Sequence, residues 1–424
     1  MDTVLQTQET SPQGGSFLSN PSRWFTQHRL SRGFWIFFTA AFFFDAGFAV
    51  YYFLFNLYLI DFHFNEKAIG LITSAGTLGS VVGTLPAGLI ARRYGIRPVM
   101  LACFLAAPLF SILRVLFLQT SAQIVLAFLA GLAICLWGIC FLPAVARLTG
   151  EDNRAAAFSL IFSVSIGTSA LGGLLCGYLP TWLRRAGFIL EPFEVKRAIL
   201  IAASLLAFVG IAFVLRLRIP ELHGSEGSSM QSWRTLFSNR FLRGFLPLMV
   251  LWSAILAAFT PFASVWLSRG LQLPLARIGV VFSVSQIVQL CVGLLTAPLF
   301  RVFGLRRGIA STQVAAALLL MTMASVQQPQ FAAVLYLGFS AAQWMSSPGL
   351  YNLLMSGTPD RERSTAASFA MFLNALVGSG ATAAAGAGFT HFGYPRMFLI
   401  LGIIALAAGV CMALSHNETG EMTP

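Results

Sequence analysis

The sequence predicts an all-α membrane protein with twelve transmembrane helices in two six-helix bundles. Three observations carry this reading. Charged residues are scarce: 10% of the 424 residues are Asp, Glu, Lys or Arg, 57% are hydrophobic, and the mean hydropathy is +0.77. A soluble chain of this size is about one quarter charged. Apolar runs of about 20 residues, enough to cross a hydrocarbon core about 30 Å thick as a helix, recur from end to end. Finally, "GLIARRYGIRP" (88–98) and "APLFRVFGLRR" (297–307) place arginines around one glycine at matching points of two halves.

The expected spans are 34–60, 68–91, 98–118, 122–146, 155–183, 198–215, 244–267, 277–300, 308–326, 331–355, 364–390 and 396–415. Long unalternating runs are helices, because in lipid every backbone polar group must be satisfied inside its own segment. Twelve is even, so both termini lie on one side. With that side inside, the inner segments carry 18 basic residues and the outer ones 8, the bias that keeps positive loops cytoplasmic. The limits that follow are a cytoplasmic tail 1–33, an N-terminal bundle 34–215, a cytoplasmic linker 216–243, a C-terminal bundle 244–415 and a cytoplasmic tail 416–424. The opening 30 residues are polar and lack the basic-then-apolar order of a cleaved signal peptide. Within them "PSRWFTQHRL" suits a short interfacial helix, and "SWRTLFSNRFLR" of the linker suits an amphipathic helix on the inner surface. The expected location is the plasma membrane, in a bacterium the inner membrane.

The net charge of +12 does not point to nucleic acid. Of the 27 cations 25 are arginines, set in short clusters between spans, and such clusters orient the chain in the membrane. Each of the six cysteines lies inside an apolar run, with no C-x-x-C pair and no Cys–His cluster, so neither a metal nor a disulfide framework is expected. The five histidines are scattered, and no G-x-x-x-x-G-K phosphate loop is present. No catalytic residue, no cofactor and no ATP-driven step is expected; the chain does not read as an enzyme.

The halves repeat at a constant offset of 209. Ile69, Gly70 and Ser74 match Ile278, Gly279 and Ser283; Arg92, Gly95 and Arg97 match Arg301, Gly304 and Arg306; Arg154, Ala157 and Ser159 match Arg363, Ala366 and Ser368. Same-orientation repeats of six helices are a known transporter plan, with the substrate site at their interface. The loop at 88–97, the Ile-Gly start and small-residue face of the second span, and the loops "RLTGEDNRAAAFS" and "SGTPDRERSTAAS" together resemble the major facilitator superfamily. The resemblance covers essentially 34–415. Gly88, Arg93, Gly95 and Arg97 match the family's loop pattern; Arg92 stands where the family places an Asp, and Ile96 where it places a basic residue. Phe128 takes the place of the fourth-helix Arg that many proton-coupled members carry. In the family the missing Asp caps or pairs across the inner gate, so a substitute acid such as Glu151 or Asp152 is needed if that gate is kept. Physically, Gly95 permits a tight turn. The flanking arginines, together with Arg154, Arg301, Arg306 and Arg363, either anchor topology through carbonyls and lipid phosphates or also latch the inner end shut.

Polar residues inside spans are the candidates for a substrate or proton site, since a charge at the membrane centre costs roughly 2.5–3.5 kcal/mol. Asp45 is the only acid deep in a span, and Tyr52 and Asn56 follow it by 7 and 11 residues, on the same helical face. Asp45 suits a proton or a cation, or else pairs within the bundle. Arg114 lies near the outer end of the third span, placed to snorkel to headgroups or, alternatively, to meet an anion. Gln286, Gln289, Gln343 and Asn374 are neutral amides for a polar substrate or for helix bridging. Trp252 suits stacking or packing. Gly76, Gly79 and Gly83 suit close helix contact.

The function implied by the resemblance is secondary active transport of a small organic solute by alternating access, coupled to protons or another ion. Efflux is slightly favoured because the expected cavity is aromatic and poor in charge. The alternatives are a proton-coupled uptake symporter and a lipid flippase or scramblase on the same fold. The expected partners are a small-molecule substrate, a coupling ion and membrane lipid; the expected state is a monomer.

Overall fold

A computed structural model describes residues 30–187, 191–219, 239–359 and 362–414. The two expected surface helices, in the N-terminal tail and in the linker, lie outside these residues. The helices are α1 (Arg32–Asp61), α2 (Glu66–Tyr94), α3 (Ile96–Leu116), α4 (Thr120–Leu148), α5 (Glu151–Arg185), α6 (Pro192–Val214), α7 (Arg240–Val265), α8 (Leu275–Phe303), α9 (Leu305–Met323) and α10 (Pro329–Ser356). The last stretch, Arg363–Leu414, is broken at Gly393 (φ 75°, ψ 169°) into α11 (363–392) and α12 (394–414). Each expected span falls on one of these twelve helices. On length and hydropathy alone eight stretches qualify as spans, the joined α11 and α12 counting once, and the bent α2 adds a ninth.

The ends follow from local chemistry. Ser31 starts α1 by accepting from the Phe34 amide at 3.1 Å, and Asn65 starts α2 by accepting from the Ala68 amide at 2.9 Å, so each fills one orphan donor of a first turn. Glu191 and Glu194 form a capping box ahead of α6, with Pro192 at its first position. Pro86 bends α2 by 45°, as expected where a proline removes a backbone donor. Gly95 (φ 84°) ends α2 and Gly304 (φ 78°) ends α8, with ψ of 169° and 154°. The repeat seen in the sequence is thus a repeat of backbone geometry, in a region that only glycine occupies readily.

In the first half α2 packs on α4, α1 on α6, and α3 against both α4 and α6. In the second, α7 and α9 pack on the α11–α12 stretch and α10 on α8 and α9. The small residues of α2 act as expected: a Cβ on Gly79 would strike the Phe128 carbonyl, and one on Gly131 the Gly76 carbonyl. Between the halves α2 meets α11 and α5 meets α8, again at glycines. A Cβ on Gly70 would lie 2.9 Å from the Thr382 carbonyl, and one on Gly173 would lie 3.0 Å from the Gly279 carbonyl.

Two apolar cores result. One belongs to the first half and is built on Phe34, Phe37, Phe44 and Phe104, with the Phe44 and Phe104 rings stacked at 4.2 Å. The other crosses the boundary, joining Tyr51, Leu54 and Tyr58 of α1 to Trp252, Phe259 and Phe262 of α7. It runs along the second half from Leu242 and Leu354 to Trp266 and Phe389. The end where α1 stops and α2 begins is here called the closed end.

Candidate transport cavity

Among the described residues, the hydrogen bonds that pass between the halves gather at the closed end. The Lys67 amide donates to Thr390 Oγ1 at 3.0 Å, Ser74 and Ser379 share a hydroxyl contact at 3.0 Å, and Ser283 Oγ donates to the Ala170 carbonyl. Asn56 Nδ2 donates to the Pro261 carbonyl at 2.9 Å. Outermost is a charged cluster: Glu66 Oε1 accepts from Arg269 Nη1 at 3.2 Å and from the Tyr394 hydroxyl at 2.7 Å. Arg269 sits in a π-helical turn, Trp266–Gly270, that ends α7, and Tyr394 follows the Gly393 break. Toward the other end the described residues of these helices include positions with no close neighbour. Gly88 of α2 and Gly167 of α5 have open space where a Cβ would stand, and Leu294 and Val302 of α8 are 77% and 78% exposed.

Beneath the closed end, between the halves, lies a cavity of about 560 Å³. Of the residues expected to form a site it collects four: Tyr52, Asn56, Arg114 and Gln286. Its wall is otherwise aromatic and hydroxylic, with Tyr51, Phe53, Phe55 and Phe282 facing Thr73, Thr77 and Ser80. Among the described residues Arg114 is the only charged side chain in it. Its guanidinium carbon lies over the Phe55 ring, 4.1 Å from the centroid.

Asp45 stands elsewhere. It lies in a narrow crevice with Phe42, Ile161 and Thr168, where Ser165 Oγ donates to Asp45 Oδ2 at 2.9 Å. The helical face shared by Asp45, Tyr52 and Asn56 therefore serves two compartments. Asp45 forms no ion pair with any described residue. Gln289 is used as a bridge, its Nε2 donating to Ser340 Oγ of α10. Trp252 is 1% exposed and its indole N–H has no partner. Gln343 Oε1 and Asn374 Oδ1 are also buried without a partner, and neither side chain lines the cavity.

The arginine-rich loops opposite the closed end make contacts inside each half. Arg97 donates to the Val214 and Leu215 carbonyls that end α6, and Arg363 Nε to the Met355 and Thr358 carbonyls that end α10. These are the cation-to-helix-end contacts that a C-terminal dipole favours. Arg93 lies 5.4 Å over Tyr94 and Arg306 5.8 Å over Phe241. Arg92 and Arg301 are exposed, while Arg154 holds a buried Nε without a partner. The side chains of Glu151 and Asp152 lie outside the described residues.

Sequence reasoning missed Glu66, Arg269 and Tyr394, the hydroxyls of α2, and Phe282. Glu66 and Arg269 look like ordinary loop charges, and no local pattern links positions so far apart in the chain.

Two packed helical bundles enclosing a central, mostly apolar cavity define a membrane transporter. The chain belongs to the Major Facilitator Superfamily, whose family model matches residues 37–382; it is a transporter and not an enzyme. Solved structures of the same fold include the nucleoside transporter NupG (TM-score 0.74, 15% identity, 90% of this chain and 98% of that one). They also include a bacterial homologue of the human lysosomal transporter Spinster, inward-facing and unoccupied (0.72, 11%, 90% and 97%). A third is a D-xylose-proton symporter (0.65, 15%, 92% and 98%). No curated protein matches the sequence.

Proposed function

We propose that the protein moves a small organic solute across the plasma membrane by alternating access, coupled to protons, with both termini cytoplasmic. The observation that carries this reading is the cavity between the halves, sealed at one end by cross-half contacts. With the termini inside, the sealed end faces outward and the conformation is inward-facing, like that of the Spinster homologue. The bundles 34–215 and 244–415 are the two rocking units, joined by the linker 216–243. A volume of about 560 Å³ suits a metabolite or drug-sized molecule, since ligand cavities run from about 300 to 1,000 Å³.

Asp45 is the coupling group in this reading. A lone carboxylate in a span is costly to hold charged, and binding a proton removes the cost. Export is placed first because the cavity wall is aromatic and nearly free of charge. Uptake by symport is the second reading, favoured by the likeness to the D-xylose-proton symporter. The test is solute movement in proteoliposomes under an imposed pH gradient. Asp45→Asn is expected to abolish accumulation driven by the gradient while leaving passive exchange. Gradient-driven accumulation equal to wild type would refute the role of Asp45.

A further inference from the structure

Arg114 ends α3, and Gln123 begins α4. Gln123 is completely buried, and its amide is fully committed: Nε2 donates to the Arg114 and Phe117 carbonyls, and Oε1 accepts from Arg114 Nε at 3.4 Å. This stitches the α3–α4 connection and fixes one edge of the guanidinium. Phe55 supports its face. Tyr51 and Tyr58 hold α1 against α3 by donating to the Ser111 and Val115 carbonyls at 3.2 and 3.1 Å. The arginine is therefore positioned from three sides.

Its other edge is unspent. Neither terminal nitrogen hydrogen-bonds a described residue, and neither is closed off from the cavity. No described carboxylate pairs with Arg114, and no acid is among the described residues of the cavity wall. Asp45, the one acid deep in a span, is in its separate crevice. A guanidinium with a free fork in a largely apolar, aromatic chamber is a recognition element for a planar anionic group, because two parallel N–H donors match a carboxylate. An unpaired charge at this depth is otherwise a loss.

We infer that the solute is an organic anion. It presents one carboxylate-like group to Arg114 and lays an apolar or aromatic body along the wall formed by Tyr52, Phe53 and Phe282. This rests on the transport reading for the cavity's purpose, but not for its chemistry. The neutral Asn56 and Gln286 offer hydrogen bonds and no competing charge. A cation would meet the one guanidinium with nothing to offset it, and a neutral solute would leave that guanidinium unsatisfied.

The test uses the full chain purified in detergent. Its melting temperature is measured with benzoate, phenylacetate, 1-naphthoate or indole-3-acetate, each against its own carboxamide. At least one carboxylate is expected to raise the melting temperature while its amide does not. Arg114→Gln should weaken that response at least tenfold in half-saturating concentration, and Arg114→Lys should restore part of it. No response to any carboxylate, equal responses to acid and amide, or an unchanged response in Arg114→Gln would overturn the inference. If Arg114→Gln does not fold, the acid–amide comparison in the wild type decides alone. The same solutes in proteoliposomes separate the two readings. Arg114-dependent binding without transport would sink the transport function and keep the anion. Transport of a neutral solute, indifferent to Arg114→Gln, would do the reverse.

Discussion

Glu66 and Arg269 are 203 positions apart in the chain and 3.2 Å apart in space. One begins α2 and the other sits in the π-helical turn after α7, so their contact spans the two bundles at the closed end. Tyr394 adds a third strut through the same Glu66 oxygen. The pair is partly exposed, Glu66 at 12% and Arg269 at 29%, so its strength is that of a screened ion pair, about 1 kcal/mol. That is enough to shift a balanced two-state equilibrium about fivefold. Glu66→Gln is expected to raise the outward-open population by roughly that factor. Labelling of a cysteine placed at Tyr52 by an impermeant maleimide from the outer side, with Cys291 and Cys411 replaced by serine, measures it. An unchanged labelling rate would remove the pair from the gate.

The two loop glycines should behave as equals. Gly95 and Gly304 share nearly the same backbone angles, which an alanine adopts only at a cost of about 1–3 kcal/mol. Gly95→Ala and Gly304→Ala are each expected to lower thermal stability by a similar amount. Gly88→Ala, which meets open space, should not. Unfolding followed by tryptophan fluorescence distinguishes these outcomes.

Substitution in the α2–α4 seam is expected to be far more damaging. Gly131→Val would drive its side chain into the Gly76 carbonyl and the Ser80 amide. Overpacking against rigid backbone belongs to the rare class above about 4 kcal/mol. The expected outcome is loss of the monodisperse peak after detergent extraction; recovery of normally folded protein would show that the seam can open.

Gln123→Ala tests how Arg114 is held. It leaves the Arg114 and Phe117 carbonyls without their donor and frees the guanidinium. A stability loss of about 1–3 kcal/mol is expected for the stranded groups, together with a weaker response to carboxylates. Normal stability with a normal anion response would mean that Gln123 positions nothing.

Much of this fold is written in local signals. Span number, the doubled loop and the helix-packing glycines each depend on residues near one another in sequence, or on a period that a single chain displays. The site was legible only in part. Spacing along α1 put Asp45, Tyr52 and Asn56 on one face, yet a face is wide enough to meet both α5 and the central cavity, and the neighbouring helices divide it. Arg114 read as a headgroup anchor or an anion contact, because depth along a helix says nothing about which way a long side chain folds. Phe55 and Gln123 decide that, from α1 and α4. Glu66 and Tyr394 had no signal at all, since partnership between distant charges is a property of the packed bundles.

The separation of Asp45 from the solute chamber has a kinetic meaning. Both touch α1 but do not share a volume; with Asp45 as the proposed coupling group, cargo and ion would not compete for the same space. In a carrier so arranged, raising the solute concentration changes turnover without shifting the apparent proton requirement competitively. A softer α1 would leak protons before it lost its grip on the solute.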